Sequence, residues 1–194
     1  MTADHIEYLR TIVEGITLPD GNPAFVTGSG ETRDVRFFEI ALKPGELKRK
    51  LPCAILSHQP VNYERNGSFS AINRVEGVIT RSRKIMDSEK VYQVSFYTKD
   101  IYNIIEMVED TAEETAIPFA EQMIKAIVEN PFFVTRRNRG VEVEITGSGF
   151  IDEDEIITDG IYMSYVQIRF KDGIYKDSTA PAIDEATIED GGIS

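Results

Sequence analysis

The chain has 194 residues and a formal net charge of −12; 41% of its residues are hydrophobic and 28% are charged. This acidic balance argues against a dedicated nucleic-acid-binding protein, because such proteins carry a basic surface. The single cysteine excludes an intramolecular disulfide, and no apolar run approaches the roughly 20 residues that a membrane-spanning helix requires. The N-terminal MTADHIEYLR lacks the pattern of a secretory signal peptide, so we expect a soluble protein of a reducing, cytoplasm-like compartment.

The first predicted element is an amphipathic helix over residues 4–15, whose apolar residues recur at three- to four-residue spacing. Asp4 and Glu7 have the spacing of a capping box, and Gly15 is predicted to end the helix. A turn-rich connector follows, and further along the chain Pro44-Gly45 predicts a turn. Strand patterns occur at three places in this region: residues 24–27, 35–42 and 51–58.

The next two predicted strands, residues 71–82 and 90–98, form a long hairpin. The segment 83-RKIMDSE-89 joins them, which places its basic residues at the hairpin tip. In the second strand, apolar and polar side chains alternate. Two faces are therefore predicted: Tyr92, Val94 and Phe96 on one, and Gln93, Ser95 and Tyr97 on the other.

The rest of the chain predicts two helices and two closing strands. The helices are expected at 100–110 and 118–130, with Pro118 in the first turn of the second. One side of that second helix carries the apolar residues Phe119, Met123, Ile124, Ile127 and Val128. The strands are expected at 140–150 and 160–170. Residues 177–194 contain no lysine or arginine, so 175–194 is predicted to be an acidic, flexible tail.

This order of elements predicts an α+β fold. We expect a mostly antiparallel β-sheet with helices packed on one face, long β-hairpins and a mobile acidic C-terminal tail. Residues 1–174 are predicted to form a single domain, in which residues 20–58 add strands and a loop.

Four consecutive carboxylates, Asp152 to Glu155, raise the question of a metal-binding loop. An EF-hand needs an oxygen ligand at its fifth position, a glycine at its sixth and a glutamate at its twelfth. Counting from Asp152, these positions hold Ile156, Ile157 and Met163. We therefore predict a solvated acidic turn between two strands, with Asp152 and Asp154 as candidate contact residues rather than metal ligands.

No catalytic, cofactor-binding or metal-binding residues are predicted. The two TGSG segments, 27–30 and 146–149, lack the lysine and the following helix of a phosphate-binding loop and indicate a bulge or bend instead. The acidic run 109-EDTAEETAI-117 lacks the arginine, glycine and upstream glutamate of a Nudix box.

The serine, cysteine and histidine residues also do not form the pattern of a nucleophile with a neighbouring base. Ser57 and His58 are neighbours on a strand, so they face opposite sides. His5, in the first turn of the first helix, is predicted to be capping or solvated. Cys53 lies in an apolar strand and is predicted to be a small core residue.

Two basic clusters stand out against the acidic composition. They contribute the candidate contact residues Arg81, Arg83, Lys84, Arg136, Arg137 and Arg139. Each cluster fits a solvated turn. Each could also meet the acidic tail or acidic loop of a neighbouring copy, or DNA passing close by.

The element order combines an N-terminal helix, a strand pair, a helix and a closing strand pair. The corresponding segments are HIEYLRTIVEGI, 71-AINRVEGVIT-80 with 91-VYQVSFYT-98, 118-PFAEQMIKAIVEN-130, and 141-VEVEITGSGF-150 with 161-IYMSYVQIRF-170. This order resembles the tail terminator (tail-completion, or neck) proteins of tailed bacteriophages. The resemblance covers most of residues 4–172, and residues 20–58 are additional to the simplest members.

The resemblance implies a ring, commonly of six subunits, at the head-proximal end of a completed tail. Such a ring ends the polymerisation of tube or sheath and forms the joining surface for the head, without catalysis or a cofactor. The implied partners are further copies of the chain, the tail tube or sheath protein and a head-side connector. DNA can pass through the ring without specific binding, and no membrane is involved. The implied location is the virion, after assembly in the host cytoplasm.

Three alternatives remain open from the sequence. The first is another neck, collar or connector role. The second is a small-ligand-binding α+β domain with an aromatic pocket built from Phe37, Phe38, Tyr92, Phe96, Tyr162 and Tyr165. The third is a metal-dependent enzyme that uses Asp152, Asp154, Glu113 or Glu114.

Overall fold

The structure is a computed structural model that describes residues 3–28, 33–58, 62–64, 70–75, 78–100, 103–104, 117–151 and 160–181, with the backbone alone in 62–64, 70–75, 78–85 and 175–181. In chain order its elements are α1 (Ala3–Glu14), β1 (Val26–Thr27), β2 (Asp34–Val35), β3 (Phe37–Phe38), α2 (Pro44–Lys50), β4 (Cys53–His58), β5 (Asn62–Glu64), β6 (Ser70–Val75), β7 (Val78–Thr98), α3 (Phe119–Glu129), β8 (Phe132–Val134), β9 (Gly140–Ile151) and β10 (Tyr162–Pro181).

Helix α1 forms where the apolar periodicity predicts it. Leu9 and Val13 lie on its buried face. The Gly15 N–H donates to the carbonyls of Thr11 and Ile12, so the helix ends at the predicted glycine.

Eight strands form one mostly antiparallel sheet, which confirms the predicted α+β class. Its order is β3-β4-β7-β10-β9-β8, and β5 and β6 pair with β7 outside this path. The β3–β4 pair is parallel, whereas β4–β7, β6–β7, β8–β9 and β9–β10 are antiparallel. β8 and β3 are the two ends of the path.

The hydrophobic core lies between the sheet and the helices α1 and α3. Tyr92, Val94 and Phe96 of β7 belong to it, so the predicted alternation of this strand is confirmed. Helix α3 contributes a narrow apolar stripe of Phe119, Met123 and Ile127. Val128 was predicted on the same side, but it is 66% exposed because the stripe recurs at four-residue steps that exclude it. Cys53 is fully buried, as predicted.

The second TGSG segment marks a bulge, as the sequence indicates. Gly147 lies opposite Gln167 and Ile145 lies opposite Ile168, which leaves one extra residue in β9. Next to the bulge, Gly149 lies opposite Tyr165. A Cβ at this glycine would lie 2.9 Å from the Tyr165 hydroxyl, so the missing side chain makes room for the aromatic ring.

Two predicted turns have a different structure. Pro44-Gly45 begins helix α2, because a proline fits the first helical position, and the Lys43 N–H donates to the Glu46 side chain at 3.3 Å. The predicted tip 83-RKIMDSE-89 instead lies inside β7, a single strand of 21 residues. The antiparallel pairing of β6 with β7 comes earlier in the chain, where Val75 lies opposite Val78. The segment 83–89 contains neither glycine nor proline, so it does not break the strand.

The chain divides into two compact units. The first comprises Met1–Val61 and Glu89–Asp172, and the second comprises Asn62–Ser88 and Gly173–Ser194. The described elements of the second unit are β5, β6, residues 78–88 of β7 and residues 173–181 of β10.

The last strand, β10, extends beyond the predicted strand 160–170. β10 continues to Pro181, so residues 175–181 are strand and do not belong to a tail. Residues 182–194 lie outside the described residues. Most of the helix predicted at 100–110 also lies outside them, because the structure describes only residues 103–104 between 101 and 110.

Candidate assembly surface

Helix α1 is attached to β8 through aromatic side chains. The rings of Tyr8 and Phe133 are stacked with their centroids 4.8 Å apart. The Tyr8 hydroxyl donates to the Asn130 carbonyl at 2.8 Å, and partial burial raises the pKa of this phenol to about 12. These contacts hold the first helix beside the last strand of the sheet.

Arg136, one of the predicted contact residues, reaches α1 of its own subunit. Its Nε lies 3.3 Å from Asp4 Oδ1, and its Nη2 lies 2.9 Å from Glu7 Oε2. The two carboxylates with capping-box spacing therefore pair with Arg136. The arginine side chain is 70% exposed, so we expect each ion pair to contribute at most about 1 kcal/mol to stability.

The segment 136-RRNR-139 forms the turn between β8 and β9. The Thr135 N–H donates to the Arg139 carbonyl, and the Asn138 N–H donates to the Thr135 carbonyl, both at 2.8 Å. Asn138 adopts a φ of 56°, a left-handed conformation that asparagine tolerates better than most residues. Arg139 is half-buried, whereas Arg137 is exposed. The turn therefore presents at least one guanidinium group to solvent.

β8 is the last strand of the sheet, and its outer edge is open among the described residues. The Thr135 N–H and the Pro131 carbonyl bond to the β9 side, at Arg139 and Val143 respectively. Because alternate residues of an antiparallel strand point their backbone groups to opposite sides, those of Phe132 and Val134 face the open edge. This edge can accept another strand.

The side chains at this edge are apolar and exposed. Phe132 and Val134 are each 66% exposed, as is Val128 at the end of α3. Together they are three of the seven large hydrophobic residues found exposed in the described part of the chain, and they fall within seven residues of sequence. We call residues 132–139 the β8 surface. An open edge, exposed apolar side chains on that strand and an arginine turn are features of a protein–protein contact.

The structure does not bring the other predicted contact residues to this surface. Arg81, Arg83 and Lys84 lie within β7 in the second unit, where Arg81 is opposite Ile72 and Arg83 is opposite Ser70. Their predicted place at a hairpin tip is wrong, because the strand continues through them. Asp152 and Asp154 lie outside the described residues.

His5 is also not the solvated or capping residue that its position in the first turn predicted. Its side chain is fully buried and stacks on Phe170 at a centroid distance of 4.5 Å. Its Nδ1 lies 3.3 Å from the Tyr92 hydroxyl, and its Nε2 lies 3.4 Å from Asp172 Oδ2. The sequence contained a signal for this burial, because His5 precedes the buried Leu9 by one helical step of four residues.

An open groove of about 790 Å³ runs between α1, residues 15–21 and α3. Its floor is fixed by Gln122, whose side chain accepts from the Thr17 N–H and donates to the carbonyls of Thr17 and Ile117. None of the six aromatic residues proposed for a ligand pocket lines this groove. Phe37, Tyr92 and Phe96 belong to the core instead. Gln122 was not singled out from the sequence, because nothing local distinguishes it from a solvated helix residue.

The described residues contain no group of three or more His, Cys, Asp or Glu side chains placed to hold a metal ion. None of the helices in the described ranges has the length and apolar character needed to cross a bilayer. No protein-family model matches the chain, and comparison with curated proteins finds no match.

Proposed function

We propose that the chain is a non-enzymatic structural protein of a tailed bacteriophage, which forms a ring of six subunits at the head-proximal end of the tail. In this role it ends the polymerisation of tail tube or sheath and forms the joining surface for the head. It works in the virion after assembly in the host cytoplasm. Its partners are further copies of itself, a tail protein and a head-side connector.

The observation that carries the proposal is the open, apolar edge of β8. A monomeric protein usually protects a sheet edge with charge, proline or a covering segment, because an open edge promotes pairing with other chains. Here Phe132 and Val134 combine exposed apolar side chains with backbone groups directed outwards. A heterologous contact, in which this edge meets a different surface of the next copy, generates a ring when its rotation closes.

The size of the apolar patch agrees with assembly through several contacts. Fully burying one large apolar side chain contributes about 1.5–3 kcal/mol, so covering the remaining two-thirds of Phe132 and Val134 contributes about 2–4 kcal/mol. Association costs at least about 4 kcal/mol of translational and rotational freedom. The patch alone therefore supports only weak pairing, whereas ring closure joins every subunit through two such contacts.

The fold supports the same proposal. β7 and β10 are adjacent and have 21 and 20 residues, which is several times the usual strand length of about 5–6 residues. Long antiparallel strands offer backbone and side-chain surface for contacts between subunits. The groove beside α3 favours a second candidate, a small-ligand-binding domain, because it is large enough for a ligand.

Sedimentation velocity of the purified protein over a concentration series separates these two functions. The ring proposal predicts a discrete large species that grows at the expense of the monomer, with a mass close to six times the monomer's 21.8 kDa. A strict monomer at every concentration, together with a melting temperature raised by a small apolar ligand, would favour the ligand-binding candidate and reject the ring.

A further inference from the structure

A segment that binds the β8 surface well would supply a strand, apolar side chains and negative charge. The strand is needed because the backbone groups of Phe132 and Val134 face the open edge. Apolar groups are needed because both side chains are 66% exposed. Negative charge is favoured because Arg137 is exposed in the adjoining turn, beside Arg136 and Arg139.

One segment of this chain has these properties in its sequence. Residues 182–194, which lie outside the described residues, contain Asp184, Glu185, Glu189 and Asp190 and no lysine or arginine. Between the two acidic pairs lie Ala186, Thr187 and Ile188. Ala186 and Ile188 are two residues apart, so on a strand they would face the same side, as Phe132 and Val134 do.

We propose that the acidic C-terminal segment 182–194 of one subunit adds a strand to the open edge of β8 in the next subunit. The inference rests on the proposed ring function and names the contact that builds the ring. The contact is heterologous because the tail and the edge are different surfaces, so each subunit donates one tail and accepts another.

The charge pattern fits in either strand direction. If the added strand is antiparallel, with Ile188 opposite Phe132 and Ala186 opposite Val134, then Asp184 falls opposite Arg136. If it is parallel, with Ala186 opposite Phe132 and Ile188 opposite Val134, then Asp190 falls opposite Arg136. In both cases one acidic pair lies at the arginine turn, where Arg136 already pairs with Asp4 and Glu7 and the exposed Arg137 can meet the added carboxylates.

The segment is also long enough to supply both an added strand and a connection to it. The described strand β10 ends at Pro181, and thirteen residues follow it. Fully extended, thirteen residues span about 43–47 Å. Only about five of them, 184–188 or 186–190, are needed at the β8 surface, so the others can serve as a connection.

The experiment uses two full-length variants that each remove one side of the contact. The edge variant carries Val134→Lys and Arg137→Glu. The tail variant carries Asp184→Lys, Glu185→Lys, Ile188→Ser, Glu189→Lys and Asp190→Lys. Ile40→Lys is the matched control for the edge variant, since Ile40 is 78% exposed and lies outside the β8 surface. Circular dichroism confirms that each variant keeps the wild-type melting temperature.

We expect each variant alone to associate at least tenfold more weakly than the wild type, while Ile40→Lys associates normally. The edge variant keeps a wild-type tail, and the tail variant keeps a wild-type β8 edge. A mixture of the two can therefore form only one contact, which should give a one-to-one heterodimer and nothing larger. A tail variant that assembles like the wild type would overturn the inference. So would an edge variant that assembles normally, or a mixture that forms species larger than a heterodimer.

The outcomes separate this inference from the ring function. If the tail variant still forms closed rings, the ring function stands and the tail contact is wrong. If the wild type forms no ring, a fluorescent peptide of residues 182–194 is titrated against the tail variant. Binding that Val134→Lys and Arg137→Glu abolish supports the tail contact without the ring, and absence of binding rejects both.

Discussion

Replacing His5 by alanine is expected to destabilise the first unit far more than a change in a terminal helical turn usually does. The imidazole is fully buried, stacks on Phe170 and meets the rings of Tyr92 and Phe133 edge-on. Truncating a buried aromatic ring to alanine costs about 3–5 kcal/mol. Part of that loss comes from the Tyr92 hydroxyl, which loses its 3.3 Å contact with His5 Nδ1.

His5→Phe is the matched variant that separates packing from polar contacts. It retains an aromatic ring on Phe170 but lacks the Nδ1 that contacts the Tyr92 hydroxyl and the Nε2 that lies 3.4 Å from Asp172 Oδ2, so we expect it to lose about 1–3 kcal/mol. Urea unfolding followed by circular dichroism measures both losses from the midpoints and slopes. A solvated histidine would change stability by no more than about 0.5 kcal/mol. A His5→Ala loss in that range would refute the buried arrangement.

Three further predictions concern a buried thiol, a glycine beside an aromatic ring and a partly buried phenol. Burial raises the pKa of Cys53 to about 12, so at pH 8 iodoacetamide should alkylate the native protein at least about 100-fold more slowly than the urea-unfolded protein, and equal rates would contradict the burial. Gly149→Ala should cost about 1–2 kcal/mol because its methyl group meets the Tyr165 ring, and a double-mutant cycle should show the loss disappearing in a Tyr165→Ala background. Burial raises the pKa of Tyr8 from 10.0 to about 12, so its contribution to stability is complete below pH 10 and is lost as the pH rises from about 10 to about 12. Tyr8→Phe should lose stability less steeply in that window, and an unchanged alkaline slope would contradict this.

The sequence predicted the elements whose periodicity is strong and local. Helices α1 and α3 and the alternation along β7 follow from apolar spacing, which records the face that each element buries. Helix α2 was missed because Pro44-Gly45 is typical of a turn, although proline also suits the first position of a helix. The continuity of β7 was missed because its charged middle looked like a loop.

The β8 surface could be predicted only in part. The turn 136-RRNR-139 was recognised from its composition, but the three-residue strand before it is too short to leave a period in the sequence. The partners of Arg136 on α1 are separated from it by about 130 positions, and such long-range pairs depend on the folded topology. The buried position of His5 depends in the same way on strands β7 and β10, which surround the helix residue with Tyr92 and Phe170.

Closure of the chain into a ring can be observed by electron microscopy of the purified full-length protein, with class averages viewed along the particle axis. We expect closed particles with sixfold rotational symmetry and a central opening. Particles that are only monomers, twofold dimers or open filaments at every protein concentration would contradict this expectation.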